Sequence, residues 1–255
     1  MTDRRPLYGY ADIAAIGALL ADATRARMMI GLADGRALPA TVLAAESGVA
    51  ASTASEHLAR LVQGGLLTVE QSGRHRYYRI AGPRVGAAME ALAVLAPTRP
   101  VRSLRESTRA AALRRARSCY DHLAGRLGVA VTEALLERKA LIRTDGRPGT
   151  ERAQGDPISA PLSHHPYRLG PNAGNLFAEL GVDLDAAGHG RRPLLRFCVD
   201  WSEQRHHLSG ALGAAVLTRM ESAGWVDRSG TRRALRVTDR GAVVLDQVLG
   251  IDAAD

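Results

Sequence analysis

Two short stretches of the chain hold the residues best suited to chemistry. In one, Cys119 is followed by Tyr120, Asp121 and His122; in the other, Cys198 is followed by Val199, Asp200 and Trp201, with His206 and His207 shortly after. From His122 to Val131 and from His207 to Val216, seven of ten positions are identical, and each run is preceded by the same Cys-x-Asp triplet. Thiolate and imidazole together are ligand chemistry for zinc, copper or nickel. Cys119 and His122 are three positions apart and share a face if that segment is helical, as Glu203 would with His206 or His207. Cys119, His122, Cys198 and one of His206 and His207 can therefore close one site around a divalent metal such as zinc. Three other readings stay open on the same residues. The cysteines can be small buried hydrophobes and the histidines backbone partners. Cys119 and Cys198 can form a redox switch. Asp121 and Asp200 can face an apolar cavity walled by Trp201, which would suit a small organic ligand.

The likeness between the two stretches extends into the elements that must position them. Both copies run through a helix to a strand at Ile142 and Arg143 or at Asp227 and Arg228. Both then pass a Gly-containing tip, return as Tyr167 to Leu169 or Leu235 to Val237, and enter another helix. Each is predicted to be a helix, strand, wing, strand, helix unit. The first wing, Thr144 to Pro166, is long and rich in Gly, Pro, Ser and His, and is expected to be mobile or folded over a neighbour.

Further upstream, residues 48 to 64 carry Leu58, Leu61 and Val62 at helical spacing on one face, with Ser52, Thr53, Ser55, Glu56, His57 and Arg60 on the other. A helix from Pro39 to Ser47 precedes it and is closed by Gly48, which suits a left-handed turn. Thr53 and Glu56 could form a capping box that starts the second helix late. Leu66 to Glu70 and Arg76 to Ile80 read as a strand pair around a basic tip with Arg74, His75 and Arg76. Before these lie an amphipathic helix from Ala11 to Leu20 and a second helix capped by Thr24. After them Pro83 to Leu95 forms an apolar helix, ended by Pro97 and Pro100.

This order of signatures, with the run Leu20 to Arg27, resembles the ArsR-type winged-helix repressors of bacteria over roughly residues 10 to 97. The resemblance implies a winged helix that places its recognition helix in the major groove of double-stranded DNA as a homodimer, with the first and last helices of the domain at the dimer interface. Two departures matter. Ala50 and Ala51 stand where the family has a polar cap and a Gln, which shifts the expected base-reading set to Ser52, Thr53 and Ser55. Residues 39 to 47 contain no Cys, which argues against arsenic-type sensing there. The resemblance also suggests that a C-terminal half of this kind is an effector or dimer domain.

The chain of 255 residues is 46% hydrophobic and 24% charged, long enough for about two domains. Its net charge is +8, carried almost entirely by Arg, since Lys139 is the only lysine. That excess suits a polyanionic partner. Arg99, Arg102, Arg105, Arg109, Arg114, Arg115 and Arg117 face a single acid, Glu106, and read as a basic linker entering a helix. No apolar run of about 18 residues and no signal-peptide pattern is found, so no membrane partner and a cytosolic site are expected, with both cysteines reduced. No Gly-rich nucleotide loop, zincin motif or nucleophile elbow points to an enzyme. The expected class is mainly α with small β-wings (α+β). A winged-helix domain at 1–97 and a basic linker at 98–117 precede a C-terminal effector domain at 118–255, made of repeats at 118–185 and 197–251. The functional expectation is a DNA-binding regulator, a repressor, whose repeats respond to a metal, redox state or small ligand; the alternatives are a winged-helix adaptor for protein contacts without sequence-specific DNA binding, or an enzyme fused to a winged helix.

Overall fold

The computed structural model describes residues 11–33, 35–72, 75–96, 111–156, 161–228 and 233–253. It divides into two compact units, Met1–Ile30 with Ala37–Ala81, and Gly31–Arg36 with Gly82–Asp255.

In the first unit, α1 (Ile13–Leu20) begins where the Asp12 side chain accepts from the Ala15 N–H. The next helix, α2 (Ala23–Leu32), is capped by Asp22, whose carboxylate accepts from the Arg25 N–H at 2.9 Å. The expected cap, Thr24, already lies inside the helix, and the stronger acceptor sits one residue before its start. Strand β1 (Leu38–Pro39) leads into α3 (Ala40–Ser47), which Gly48 ends at φ +70° as expected of a left-handed stop. Then α4 (Ala51–Gln63) follows, with Ala50 at its N-cap and no side-chain capping bond. The capping box is therefore not formed: the helix starts two residues before Thr53, and Ser55 Oγ donates instead to the Ala51 carbonyl. Strands β2 (Leu67–Ser72) and β3 (His75–Ile80) pair antiparallel from Leu67 opposite Ile80 to Ser72 opposite His75. They run further than the apolar pattern indicated, and β1 adds to β3 to give the order β1-β3-β2. Met28, Met29, Leu43, Leu58, Leu61 and Tyr78 form this unit's buried centre.

The second unit contains α5 (Pro83–Leu95). The helix expected to close the N-terminal domain thus groups with the C-terminal residues, where buried Glu90 pairs with Arg233. Each repeat then has the same order of elements. The first has β4 (Arg117–Cys119), β5 (His122–Ala124), α6 (Gly125–Glu137), β6 (Leu141–Arg143), β7 (Tyr167–Leu169) and α7 (Ala173–Glu179). A short helix, α8 (Leu184–Gly188), leads to the second. That copy has β8 (Arg196–Val199), β9 (His206–Ser209), α9 (Gly210–Ser222), β10 (Val226–Arg228), β11 (Leu235–Val237) and α10 (Asp239–Val244), which continues as a π-helical turn to Leu249. The sequence pattern had missed the opening hairpin of each copy. Both copies contribute to one core, including Leu123, Leu135, Phe177, Phe197, Leu212 and Trp225, so neither packs around a centre of its own.

The repeated glycines explain how hairpin and helix fit. A Cβ on Gly213 would lie 2.7 Å from the Leu208 carbonyl oxygen, and one on Gly128 2.6 Å from that of Leu123. Gly213→Ala is accordingly expected to lower stability by about 1–3 kcal/mol, since backbone on both sides must shift. An unchanged denaturation midpoint would show that β9 and α9 can part freely.

The long first wing is folded over the second repeat. Thr144 N–H donates to the Pro166 carbonyl, His206 N–H to that of Thr150, and Leu162 N–H to that of Phe197. Among the described residues, no helix is long and apolar enough to cross a membrane.

Candidate functional site

Cys119 and His122 come together through a hairpin, not a helix. Strands β4 and β5 are joined by Tyr120 and Asp121, with Tyr120 at φ +57°, and Cys119 stands directly opposite His122. In the second repeat, β8 and β9 place Cys198 opposite His207. Directly paired residues of an antiparallel ladder project from the same face. Each hairpin therefore offers one thiol and one imidazole side by side. The hairpins meet with the His122 and His207 rings stacked, their centroids 5.2 Å apart. One ligand atom from each of Cys119, His122, Cys198 and His207 lies within 4.8 Å of all the others. His122, His207 and Cys198 are buried, while Cys119 retains some exposure.

Both imidazoles are short of partners. Among buried polar atoms, His122 Nε2 and both ring nitrogens of His207 make no hydrogen bond. Leaving such groups unsatisfied costs about 1–3 kcal/mol each, unless something else uses them. Around them stands a repeated outer arrangement. Asp121 Oδ1 lies 3.3 Å from His122 Nδ1, and Asp200 Oδ2 lies 3.8 Å from His207 Nδ1. Each Asp is the residue two positions after the Cys of its own copy. A carboxylate behind one nitrogen of an imidazole whose other nitrogen is free is how ligating histidines are commonly oriented.

These carboxylates are themselves held. Asp121 pairs with Arg192. Burial works against its charge, yet hydrogen bonds from His122 and Arg192 outweigh that and hold its pKa at about 2. Asp200 is fully buried and accepts from Arg117 at 2.9 Å, from the Gly125 N–H at 2.7 Å and from Ser202. Burial opposes its ionisation too, but the Arg117 charge keeps it well below the usual carboxylate range. The hydrogen bond with Cys198, and then burial, push the Cys119 thiol well up. Burial disfavours the His122 imidazolium, but Cys119 and Asp121 more than offset it and raise its pKa to about 9. His207, by contrast, is driven by burial to about 3 and is neutral.

Other expected positions fall elsewhere. Side chains alternate along a strand, so His206 leaves the opposite face of β9 from His207. It donates Nε2–H to Asp156 at 2.9 Å and accepts a hydrogen bond at Nδ1 from the Tyr167 hydroxyl at 2.7 Å, anchoring the long wing. Glu203 lies in the turn before β9, not on a helix with His206 or His207. Asp200 is held by the Arg117 guanidinium, and Trp201 packs under the same group, 4.6 Å from ring centroid to Cζ. Arg117, read as the end of a basic linker entering a helix, is 1% exposed within β4. Most of that linker lies outside the described residues. The sequence reading missed Arg117 and Arg192 as carboxylate partners because both contacts link residues far apart in the chain.

In the first unit, Ser52, Thr53, Ser55, Glu56 and Arg60 are exposed along α4. His57 is not on that face: its side chain is 17% exposed and leans on Asp22, 3.6 Å away. His75 and Arg76 are exposed on β3, while Arg74 lies outside the described residues.

Comparison with known proteins bears on both units. The family model of a helix-turn-helix domain matches residues 20–70. An uncharacterized HTH-type transcriptional regulator of Bacillus subtilis, YdfF, is 36% identical over 94% of this chain and 98% of its own length. Among solved structures, the homodimeric winged helix-turn-helix DNA-binding domain Mb0332 of Mycobacterium bovis is 30% identical. It covers 35% of this chain and 89% of that one, at a TM-score of 0.31. The cadmium sensor CMTR of Mycobacterium tuberculosis is 32% identical over 36% of this chain and 99% of its own, at a TM-score of 0.29.

Proposed function

The chain belongs to the HTH-type transcriptional regulators, and from that premise we propose that it is a homodimeric repressor whose hold on duplex DNA is set by a divalent metal bound between its C-terminal repeats. The ion would be zinc or one of similar softness, held by Cys119, His122, Cys198 and His207. One observation carries this: the four ligand atoms lie within 4.8 Å of one another while the imidazole nitrogens among them have no other partner. Two thiols and two imidazoles are a tetrahedral zinc set, and Asp121 and Asp200 supply the outer carboxylates that orient such histidines.

DNA reading is assigned to the exposed Ser52, Thr53, Ser55, Glu56 and Arg60 of α4, with Arg74, His75 and Arg76 of the wing on the backbone. Dimerisation is supported by apolar side chains left in solvent. Ile13 is 78% exposed on α1, and Leu95 71% on α5. A route from metal to α5 exists within the second unit. The hairpin carrying Cys119 and His122 has Tyr120 at its tip, and a Cβ on Gly86 of α5 would lie 3.5 Å from that ring.

The test is selection of bound fragments from random duplex DNA, with zinc present and with zinc chelated. The expected product is a two-fold related pair of half-sites about 10 base pairs apart, with affinity shifted about tenfold or more by the metal. Ser55→Ala should relax preference at one position by about 1–3 kcal/mol per lost base contact. Arg76→Ala should weaken all sequences alike and reduce the salt slope by about one. Affinity identical in both metal states would remove the metal from the regulatory scheme, and failure to enrich any fragment at low salt would leave a protein-contact adaptor.

A further inference from the structure

Beside the candidate metal site, and wholly within the second unit, lies a cavity of about 380 Å³, the scale of a small-molecule site. Its floor includes Cys119, His122 and Cys198, and one wall is Pro83, Gly86 and Ala87 of α5. The walls are mostly apolar, and four charged side chains border them: Glu90, Asp121, Arg192 and Arg196. Glu90 is already paired with Arg233, and Asp121 with Arg192. Arg196 is exposed, and its guanidinium makes no ion pair or hydrogen bond among the described residues. A divalent ion on two thiolates and two neutral imidazoles would leave the floor without net charge. The cavity is then an apolar chamber with one uncommitted guanidinium, and guanidinium is the side chain that grips a carboxylate through two parallel hydrogen bonds.

We propose that this cavity binds a small organic anion, a monocarboxylate with an apolar body, its head group on Arg196 and its body between α5 and the floor formed by the two hairpins. This goes beyond the metal reading and rests on it only for the neutral floor, since the walls and Arg196 are present whichever state Cys119 and His122 are in. Because the occupant touches the hairpin residues and α5 together, it acts as a second effector on the same helix that the metal reaches through Tyr120.

The experiment is calorimetric titration of the full chain, zinc-loaded and chelated, with benzoate and octanoate as probes and benzyl alcohol as the uncharged control. Saturable binding of a carboxylate, with benzyl alcohol much weaker, is expected. Arg196→Gln, an exposed change that leaves the core intact, should weaken benzoate on the order of tenfold or more. Ala87→Phe should abolish binding by filling the chamber, and neither substitution should change the metal content. No saturable heat from either carboxylate, equal binding of benzyl alcohol, or undiminished benzoate affinity in Arg196→Gln would each overturn the assignment.

Discussion

Metal analysis of the purified chain is expected to return about one ion of the zinc class per chain, and Cys119→Ser, Cys198→Ser, His122→Ala and His207→Ala are each expected to reduce it to background. Every one of the four supplies a ligand atom to the same cluster, so no truncation leaves a tetrahedral set behind. His206→Ala is the informative control. His206 is the immediate neighbour of His207 and equally buried, yet its nitrogens are taken by Tyr167 and Asp156. That variant should keep its metal and loosen the long wing. Equal loss of metal from His206→Ala and His207→Ala would contradict the site. The affinity should also depend steeply on pH. At neutral pH the metal-free site carries a proton on the Cys119 thiol and one on His122, whose pKa is about 9. Binding through two thiolates and two neutral imidazoles expels these protons, so the logarithm of the apparent affinity should rise by at least about two per pH unit near neutrality. A flat profile would mean that neither group is a ligand.

Asp200→Ala is expected to lower the unfolding free energy by about 3–5 kcal/mol, because it leaves the Arg117 guanidinium buried without its counter-charge. Arg117 is 1% exposed and Asp200 fully buried, and the carboxylate also satisfies the Gly125 N–H at the start of α6. Urea midpoints of the metal-free protein across pH provide the measurement. The Asp200 pKa lies below the ordinary carboxylate value, so its contribution is complete above about pH 4 and is lost as pH falls further, when the unfolded chain takes the proton first. His207 adds to the same limb. With its pKa near 3, the unfolded chain alone binds that proton below about pH 6.5, which weakens the fold as acid is added. His122 has the opposite sign: raised to about 9, its contribution is full below about pH 6.5 and disappears as pH rises through 9. A cost for Asp200→Ala within about 1 kcal/mol of zero would show that the pair contributes specificity and not stability.

Local signals were enough for much of the fold. The turn at Gly48, the apolar stripe of Leu58 and Leu61, and the helix from Pro83 to Leu95 are properties of a few consecutive residues. The repeated Cys-x-Asp and His-Leu-x-Gly runs disclosed two related copies for the same reason, since identity needs no structure to be seen. The hairpins escaped because a spacing of three is ambiguous. Residues i and i+3 meet on one turn of a helix, and they also meet across a two-residue hairpin, so Cys119 and His122 gave the same signal for either.

By itself, then, the amino-acid sequence determined that this is a helix-turn-helix protein, that its C-terminal half is duplicated, and that each copy carries a Cys, an Asp and a His able to serve one site. Tertiary structure alone decided which of these residues converge. Adjacent residues of a strand face opposite ways, and nothing local says which face meets the other copy. The packing of β5 against β9 brought His207 to Cys119, His122 and Cys198 and turned His206 to Tyr167. The same packing buried Asp200 against Arg117, 83 positions away, and set its carboxylate 3.8 Å from His207.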